Sequence, residues 1–354
     1  MTAKFDLIET LKLSGPLVQA PLGGGPGTAE LTAAVSNAGA LGSLGAAYLR
    51  VEDLEREILK TKRLTRKSFA VNLFIPSTPP VLDPAKSAAA LEGTQKYRDQ
   101  LSLSKPMIQM SPFADFGAQM KIVLKHRPAV FSFVFGLLPE EFVRECKSAK
   151  ILLIGTATNL EEAQGLAKSG VDAITAQGFE AGGHRGMFSP NDTDSKMTTQ
   201  ELTKKLSQSV DIPIIAAGGI MDGAGIAAAL SWGAQAAQLG TSFMLCPEAG
   251  TAEAYRTALM SKKAEAPRMT RVFSGRWARG LENKFMREME QNPEAVLPWP
   301  IQNAFTRDLR QKSAQNGSPD FLSLWAGSGV SKIREMKAAQ LVETLFSELS
   351  KASI

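Results

Sequence analysis

Short, nearly uninterrupted apolar runs recur along this chain, and between them lie stretches whose apolar residues are spaced three to four apart. Pro16-Leu-Val-Gln-Ala20 is the first run and ends in a glycine turn, Pro21-Leu-Gly-Gly-Gly25. Thr28 to Asn37 follows with helical spacing, Thr28 placed to cap it and Gly39 to stop it. Ala40-Leu-Gly-Ser-Leu44 is a second buried strand, which completes a β–α–β unit. A helix from Val51 to Lys62 leads to the strand Phe69-Ala-Val-Asn-Leu73; Ser77-Thr-Pro-Pro-Val81 breaks the rhythm, and Ala85 to Gln100 reads as a helical excursion. The rhythm then resumes with strand Ala129 to Val134, helix Pro139 to Ala149 and strand Ile151 to Gly155. Helix Asn159 to Ser169, closed by Gly170, and strand Val171 to Gln177 follow. Thr198-Thr-Gln-Glu201 is a capping box that opens a helix with Leu202, Leu206 and Val210 on one face. Ile212 to Ala216 is the seventh strand; Asp222 caps an alanine-rich helix to Trp232, Gly233 stops it, and Ala234 to Leu239 is the eighth.

Strands this continuously apolar, alternating with helices, indicate a parallel sheet covered on both faces. Eight of them in order predict an α/β fold of the (β/α)8 TIM-barrel type, with a doubly wound open sheet as the alternative, because counting strands does not show that a sheet closes. From Cys246 onward charge, Met and Pro increase and the strand alternation stops. The expected organisation is therefore a barrel made of residues 1–245 together with 319–354, and a mainly helical excursion over 246–318 beside the barrel mouth. Leu324-Trp-Ala-Gly-Ser-Gly-Val330 returns as a glycine turn, and Lys332 to Ala352 reads as a terminal amphipathic helix.

Composition excludes several classes. The 354 residues are 44% apolar and 21% charged, as in an ordinary soluble globular chain. The longest apolar run falls far below the ~18 residues that span a bilayer. Residues 1–8 lack the basic-then-apolar pattern of a signal peptide, so the expected location is the cytoplasm or the soluble content of an organelle. Cys146 and Cys246 are too few for a disulfide framework and read as packing residues. The net charge of +5 is spread along the chain, and its densest basic segment, Lys60 to Lys67, has no interleaved aromatics; no nucleic-acid or membrane partner is expected.

Candidate chemistry gathers where a parallel barrel places its active site, at the C-terminal ends of the strands. Gly23 to Gly25, Asn72, Gln177 to His184, Gly218, Gly219, Gly240 and Thr241 all lie just past predicted strands. In the loop Ala176-Gln-Gly-Phe-Glu-Ala-Gly-Gly-His-Arg-Gly186, His184 is one of only two histidines in the chain and a candidate general base. The blander reading has His184 bonding loop backbone and Arg185 solvated. The glycine turns after the seventh and eighth strands expose backbone N–H groups, and a short helix near Ser242 adds its positive end, which suits a phosphate. Alternatively those glycines only tighten turns. No metal cluster and no activated nucleophile appears, and Glu180 lacks a partner carboxylate. Such a site suits a bound cofactor that supplies the chemistry: amides at Asn72 and Gln177 for the pyrimidine edge of a flavin, with the FMN phosphate at the two glycine turns.

The run Gln177 to Gly186 resembles the signature of the nitronate monooxygenases, also called 2-nitropropane dioxygenases. Ala20-Pro-Leu-Gly-Gly24, Ala216-Ala-Gly-Gly-Ile220, Gln238-Leu-Gly-Thr-Ser-Phe243 and Leu324-Trp-Ala-Gly327 match as well, along nearly the whole chain. The resemblance implies a barrel with non-covalent FMN and His184 as catalytic residue. Its flavin contacts fall on Ala20, Pro21, Leu22, Asn72, Gln177, Gly182, Gly183, Ala217, Gly218, Gly219, Gln238, Leu239, Gly240 and Thr241. It also implies oxidation of alkyl nitronates, such as propionate 3-nitronate, by O2 to a carbonyl compound and nitrite or nitrate, in a monomer or homodimer. One departure stands out: Ser328 replaces an expected glutamine. Glu-Ala-Gly-Gly-His is shared with FMN-dependent enoyl-acyl carrier protein reductases, and quinone reductases use the same fold, so an NAD(P)H-dependent reductase is the rival. A barrel that binds FMN without redox chemistry is the third reading.

Overall fold

The computed structural model describes residues 6–78, 80–110, 113–261 and 267–352. Among them eleven strands, numbered in chain order, divide into two sheets. The large sheet holds β1 (Leu17–Gln19), β2 (Gly42–Gly45), β3 (Phe69–Phe74), β4 (Val130–Val134), β5 (Leu152–Ala157), β6 (Ala173–Gln177), β8 (Ile214–Ala217) and β9 (Ala236–Leu239). The small one holds β7 (Gly183–His184), β10 (Arg268–Thr270) and β11 (Ala278–Gly280).

The large sheet is parallel throughout, in the order β1-β9-β8-β6-β5-β4-β3-β2. Its two edges meet: Val18 bridges Leu41, with the Leu41 N–H donating to Leu17 O at 3.0 Å and the Gln19 N–H to Leu41 O at 2.9 Å. The strands therefore form a TIM barrel, not an open sheet. Near the N-terminal ends of the strands, Val18, Leu41, Ala70, Val130, Ile154, Ala173, Ile215 and Ala236 fill the interior together with Leu7 and Leu11. The helix Leu7–Leu11 plugs that end, so cavity space is left at the opposite, C-terminal end. Outside, the strands pack on helices whose starts follow local side-chain chemistry. Thr28, Asn159, Thr198 and Asp222 each accept from an N–H in the first turn, and Thr198 with Glu201 forms the reciprocal capping box.

The structure adds to or shifts the sequence reading at several places. A helix, Phe116–His126, lies in a stretch where none was expected. The segment after Cys246, expected to be mainly helical, also carries two short strands that the sequence reading did not anticipate. It contributes β10 and β11, and β11 pairs antiparallel with β7, placing Ala278 opposite His184 and Arg279 opposite Gly183. Trp299 and Phe305, within this segment, are 5% and 2% accessible and form part of the interior. The terminal helix starts later than expected, at Ala338. Among the described residues no helix is long and apolar enough to cross a membrane.

Candidate active site

A cavity of about 920 Å³ opens at the C-terminal end of the barrel. Its walls include Ala20, Pro21, Leu22, Asn72, Gln177, Gly182, Gly183, His184, Ala217, Gly218, Gly219, Gln238, Gly240 and Thr241. The sequence-derived candidates thus converge on one space, except Leu239, whose side chain is buried in the core beside Leu17 and Phe243.

The glycine loops are fixed by close backbone approach. A Cβ on Gly182 would lie 2.4 Å from the Gly327 nitrogen, and one on Gly178 would lie 2.1 Å from Thr199 Oγ1. Gly218 and Gly219 have φ of +129° and +70°, conformations that favour glycine. Glu180 ties these loops together, accepting from the Thr199 N–H at 2.8 Å and the Thr199 hydroxyl at 2.9 Å. The Gly327 N–H donates to Thr241 Oγ1 at 3.0 Å, and the Ser328 N–H to Glu180 O at 3.0 Å. No hydrogen bond to another described residue occupies the N–H groups of Gly219, Gly240 or Thr241. Those amides, at the ends of β8 and β9 and the start of the 3-10 turn Thr241–Phe243, form a cradle of the kind that takes a phosphate. The Gln238 amide likewise makes no hydrogen bond within the described chain and faces the cavity.

Two amides are partly committed. Gln177 Nε2 donates to His184 O at 3.0 Å, and its Oε1 accepts from the Gly186 N–H at 2.7 Å, so this side chain braces the histidine loop. Asn72 Nδ2 donates to the Ser132 hydroxyl at 3.0 Å. Arg185 is not solvated: it is 3% exposed and pairs in a fork with Asp194 at 2.9 and 3.0 Å.

His184 stands in an aromatic enclosure. Trp299, Trp325 and Phe135 approach its ring at centroid distances of 5.3, 5.5 and 6.1 Å. Phe135 holds φ of +80°, a costly conformation for a side-chain-bearing residue, which packing must enforce. Nε2 of His184 is buried without a hydrogen-bond partner. Burial, then the positive charges of Arg276 and Arg310, push the imidazole down to about 3, so the ring is neutral at any ordinary pH. Arg276 and Arg310 are themselves lowered to about 10, mainly by burial, and burial raises the Tyr48 phenol to about 12. Arg307 and Arg310 line the same cavity from the helix Arg307–Gln315.

Sequence reading missed Tyr48, Phe135, Arg276, Arg307 and Arg310. Each lies outside any glycine motif, and only the tertiary fold brings them near His184. Both cysteines are buried packing residues, their thiols pushed up to about 11 at Cys146 and about 12 at Cys246 by burial.

The model of the family described as nitronate monooxygenase matches residues 5–348. The chain belongs to the nitronate monooxygenase family. It is 39% identical to a nitronate monooxygenase of Paraburkholderia phytofirmans, over 99% of this chain and 96% of that one. Among solved structures, nitroalkane oxidase from Streptomyces ansochromogenes superposes with a TM-score of 0.89 at 35% identity, covering 98% of each chain. FabK from Thermotoga maritima gives a TM-score of 0.74 at 27% identity, covering 98% of this chain and 96% of that one. As a nitronate monooxygenase family member the chain is an oxidoreductase, and its activity is nitronate oxidation in the general sense.

Proposed function

We propose that this chain binds FMN at the barrel mouth and oxidises preformed alkyl nitronates, propionate 3-nitronate among them, with O2 to a carbonyl compound and nitrite or nitrate. The observation that carries this reading is the cavity wall itself, where His184, its Nε2 buried without a hydrogen-bond partner, shares the space with Arg307 and Arg310. Such a wall attracts an anion. It is poorly suited to take a proton from a neutral carbon acid, because a base whose conjugate acid dissociates near pH 3 accepts protons weakly.

The donor set supports FMN. The amides of Gly219, Gly240 and Thr241 would hold the phosphate, and the Gln238 and Asn72 side chains the polar edge of the ring system. Ala20, Pro21, Leu22, Gly182, Gly183, Ala217 and Gly218 would give close apolar and backbone contact, while Gln177 keeps the loop in place. When bound, FMN supplies the electron acceptor and the partner for O2. The chain's own part is to bind and orient. His184 offers one hydrogen bond to the nitronate, Trp299, Phe135 and Trp325 exclude water around it, and Arg310 with Arg307 meets an anionic tail. Arg310 spends Nη2 on Asn303 and leaves Nη1 without a partner among the described residues.

Anaerobic mixing of the purified protein with propionate 3-nitronate, and separately with NADH and NADPH, tests the reading through flavin absorbance. Reduction by the nitronate and none by the nucleotides is expected. Rapid bleaching by a nucleotide with no response to nitronate would make the protein a pyridine-nucleotide-dependent reductase.

A further inference from the structure

We propose that Arg276 sets which form of the substrate the site accepts: its fixed charge beside His184 favours nitronate anions and disfavours proton removal from neutral nitroalkanes. This rests on the nitronate-oxidising reading above.

Arg276 is 1% exposed and immobilised from three sides. Its Nη1 donates to Met187 O and its Nη2 to Phe188 O at 3.2 Å, both carbonyls in the chain just after His184. The guanidinium carbon lies 3.9 Å from the Phe135 ring centroid and 5.8 Å from that of Trp299. Those two rings also pack against His184, so the cation and the imidazole face a shared, water-poor aromatic layer that screens little. The backbone adds a second tether, since Ala278, two residues on, is the ladder partner of His184. Nε of Arg276 has no partner, and Glu162, the carboxylate that acts on it, forms no ion pair with it. Glu162 is committed instead to Thr158 and to the Phe188 N–H. The charge is therefore only partly neutralised behind the aromatic layer it shares with the ring.

The charged groups that act on His184 are Arg276, from the loop before β11, and Arg310, from the helix Arg307–Gln315. Tyr48 is a further titratable group on the same cavity wall; Phe135, Trp299 and Trp325 carry no charge. With a neutral nitroalkane, the Cα–H bond would break, its electron pair would pass into the nitronate, and a new N–H bond would form on the imidazole. That step creates a second cation next to Arg276 and is opposed. With a nitronate the proton is already gone, and the same charge attracts the substrate.

Two readouts test this on the flavin-loaded protein. The first is NMR titration of histidine-labelled protein, where the His126→Asn variant assigns the second of the two histidine signals. His184 should not titrate down to about pH 4 in the parent and should move up by about one unit or more in Arg276→Met, while Arg276→Lys stays close to the parent. The second compares kcat/KM for ethyl nitronate and for neutral nitroethane. In Arg276→Met the nitronate value should fall and the nitroethane value rise, shifting their ratio by about tenfold for each unit gained. If both fall together, or the His184 titration does not move, Arg276 is only a loop brace and the proposal is overturned. If Arg276→Met does not fold, Arg276→Gln keeps donors for both carbonyls and carries the same test. A protein that oxidises no nitronate would refute the proposed function, yet the NMR titration would still decide the electrostatic claim.

Discussion

At Gly182 two loops approach more closely than a side chain permits, since a Cβ there meets the backbone nitrogen of Gly327. Gly182→Ala must separate the histidine loop from the Leu324-to-Val330 turn. Purified variant should therefore carry substantially less flavin than the parent, read from the ratio of flavin to protein absorbance. His184 has a different consequence, for stability. Its folded value near 3 lies below the ordinary 6.5, so between those limits the unfolded chain holds a proton that the folded chain does not. Stability then rises with pH through that window and is lost as pH falls below about 6.5. Urea unfolding at pH 7.5 and pH 5 should show the parent losing about 2 kcal/mol more than His184→Asn. An equal loss in both would show that the ring is not held neutral.

Among the elements, the helix Arg307–Gln315 presents two arginines one turn apart to the cavity. Arg310 is anchored to Asn303, whereas the Arg307 side chain makes no hydrogen bond to another described residue. Arg307→Ala should raise KM for propionate 3-nitronate severalfold and leave ethyl nitronate nearly unchanged, because only the former has a carboxylate to lose. Steady-state kinetics on the two substrates checks this, and an equal rise for both would remove Arg307 from substrate binding. Helix starts at Thr28, Thr198 and Asp222 were legible because a cap is local chemistry, written within four residues. The strands β7, β10 and β11 were not. A two-residue strand such as Gly183–His184 has no periodicity of its own and exists only because Ala278 and Arg279 reach it from far along the chain. The enclosure of Trp299, Phe135 and Arg276 was hidden for the same reason, while the glycine motifs were visible because backbone approach leaves a mark in composition.

Across the whole molecule, the eight-strand order could be anticipated but its closure could not, since closure depends on a single bridge between Val18 and Leu41. Neighbouring pairs such as β3 and β4 share a five-residue register, against that one bridge at the seam. Hydrogen exchange should accordingly find the Gln19 and Leu41 amides less protected than those of β4 and β5. Uniform protection around the barrel would contradict it. The antiparallel ladder between β7 and β11 has a wider meaning. His184 reaches the mouth on a loop of the barrel, but its ladder partner Ala278 and the nearest of its ring contacts, Trp299, come from the segment 246–318, while the candidate phosphate cradle belongs to the barrel strands. On the proposed function, holding the cofactor and setting reactivity would fall to separable stretches of chain. Variation within 246–318 would then redirect chemistry without rebuilding the proposed cofactor site, which makes that segment the natural unit to exchange in engineering.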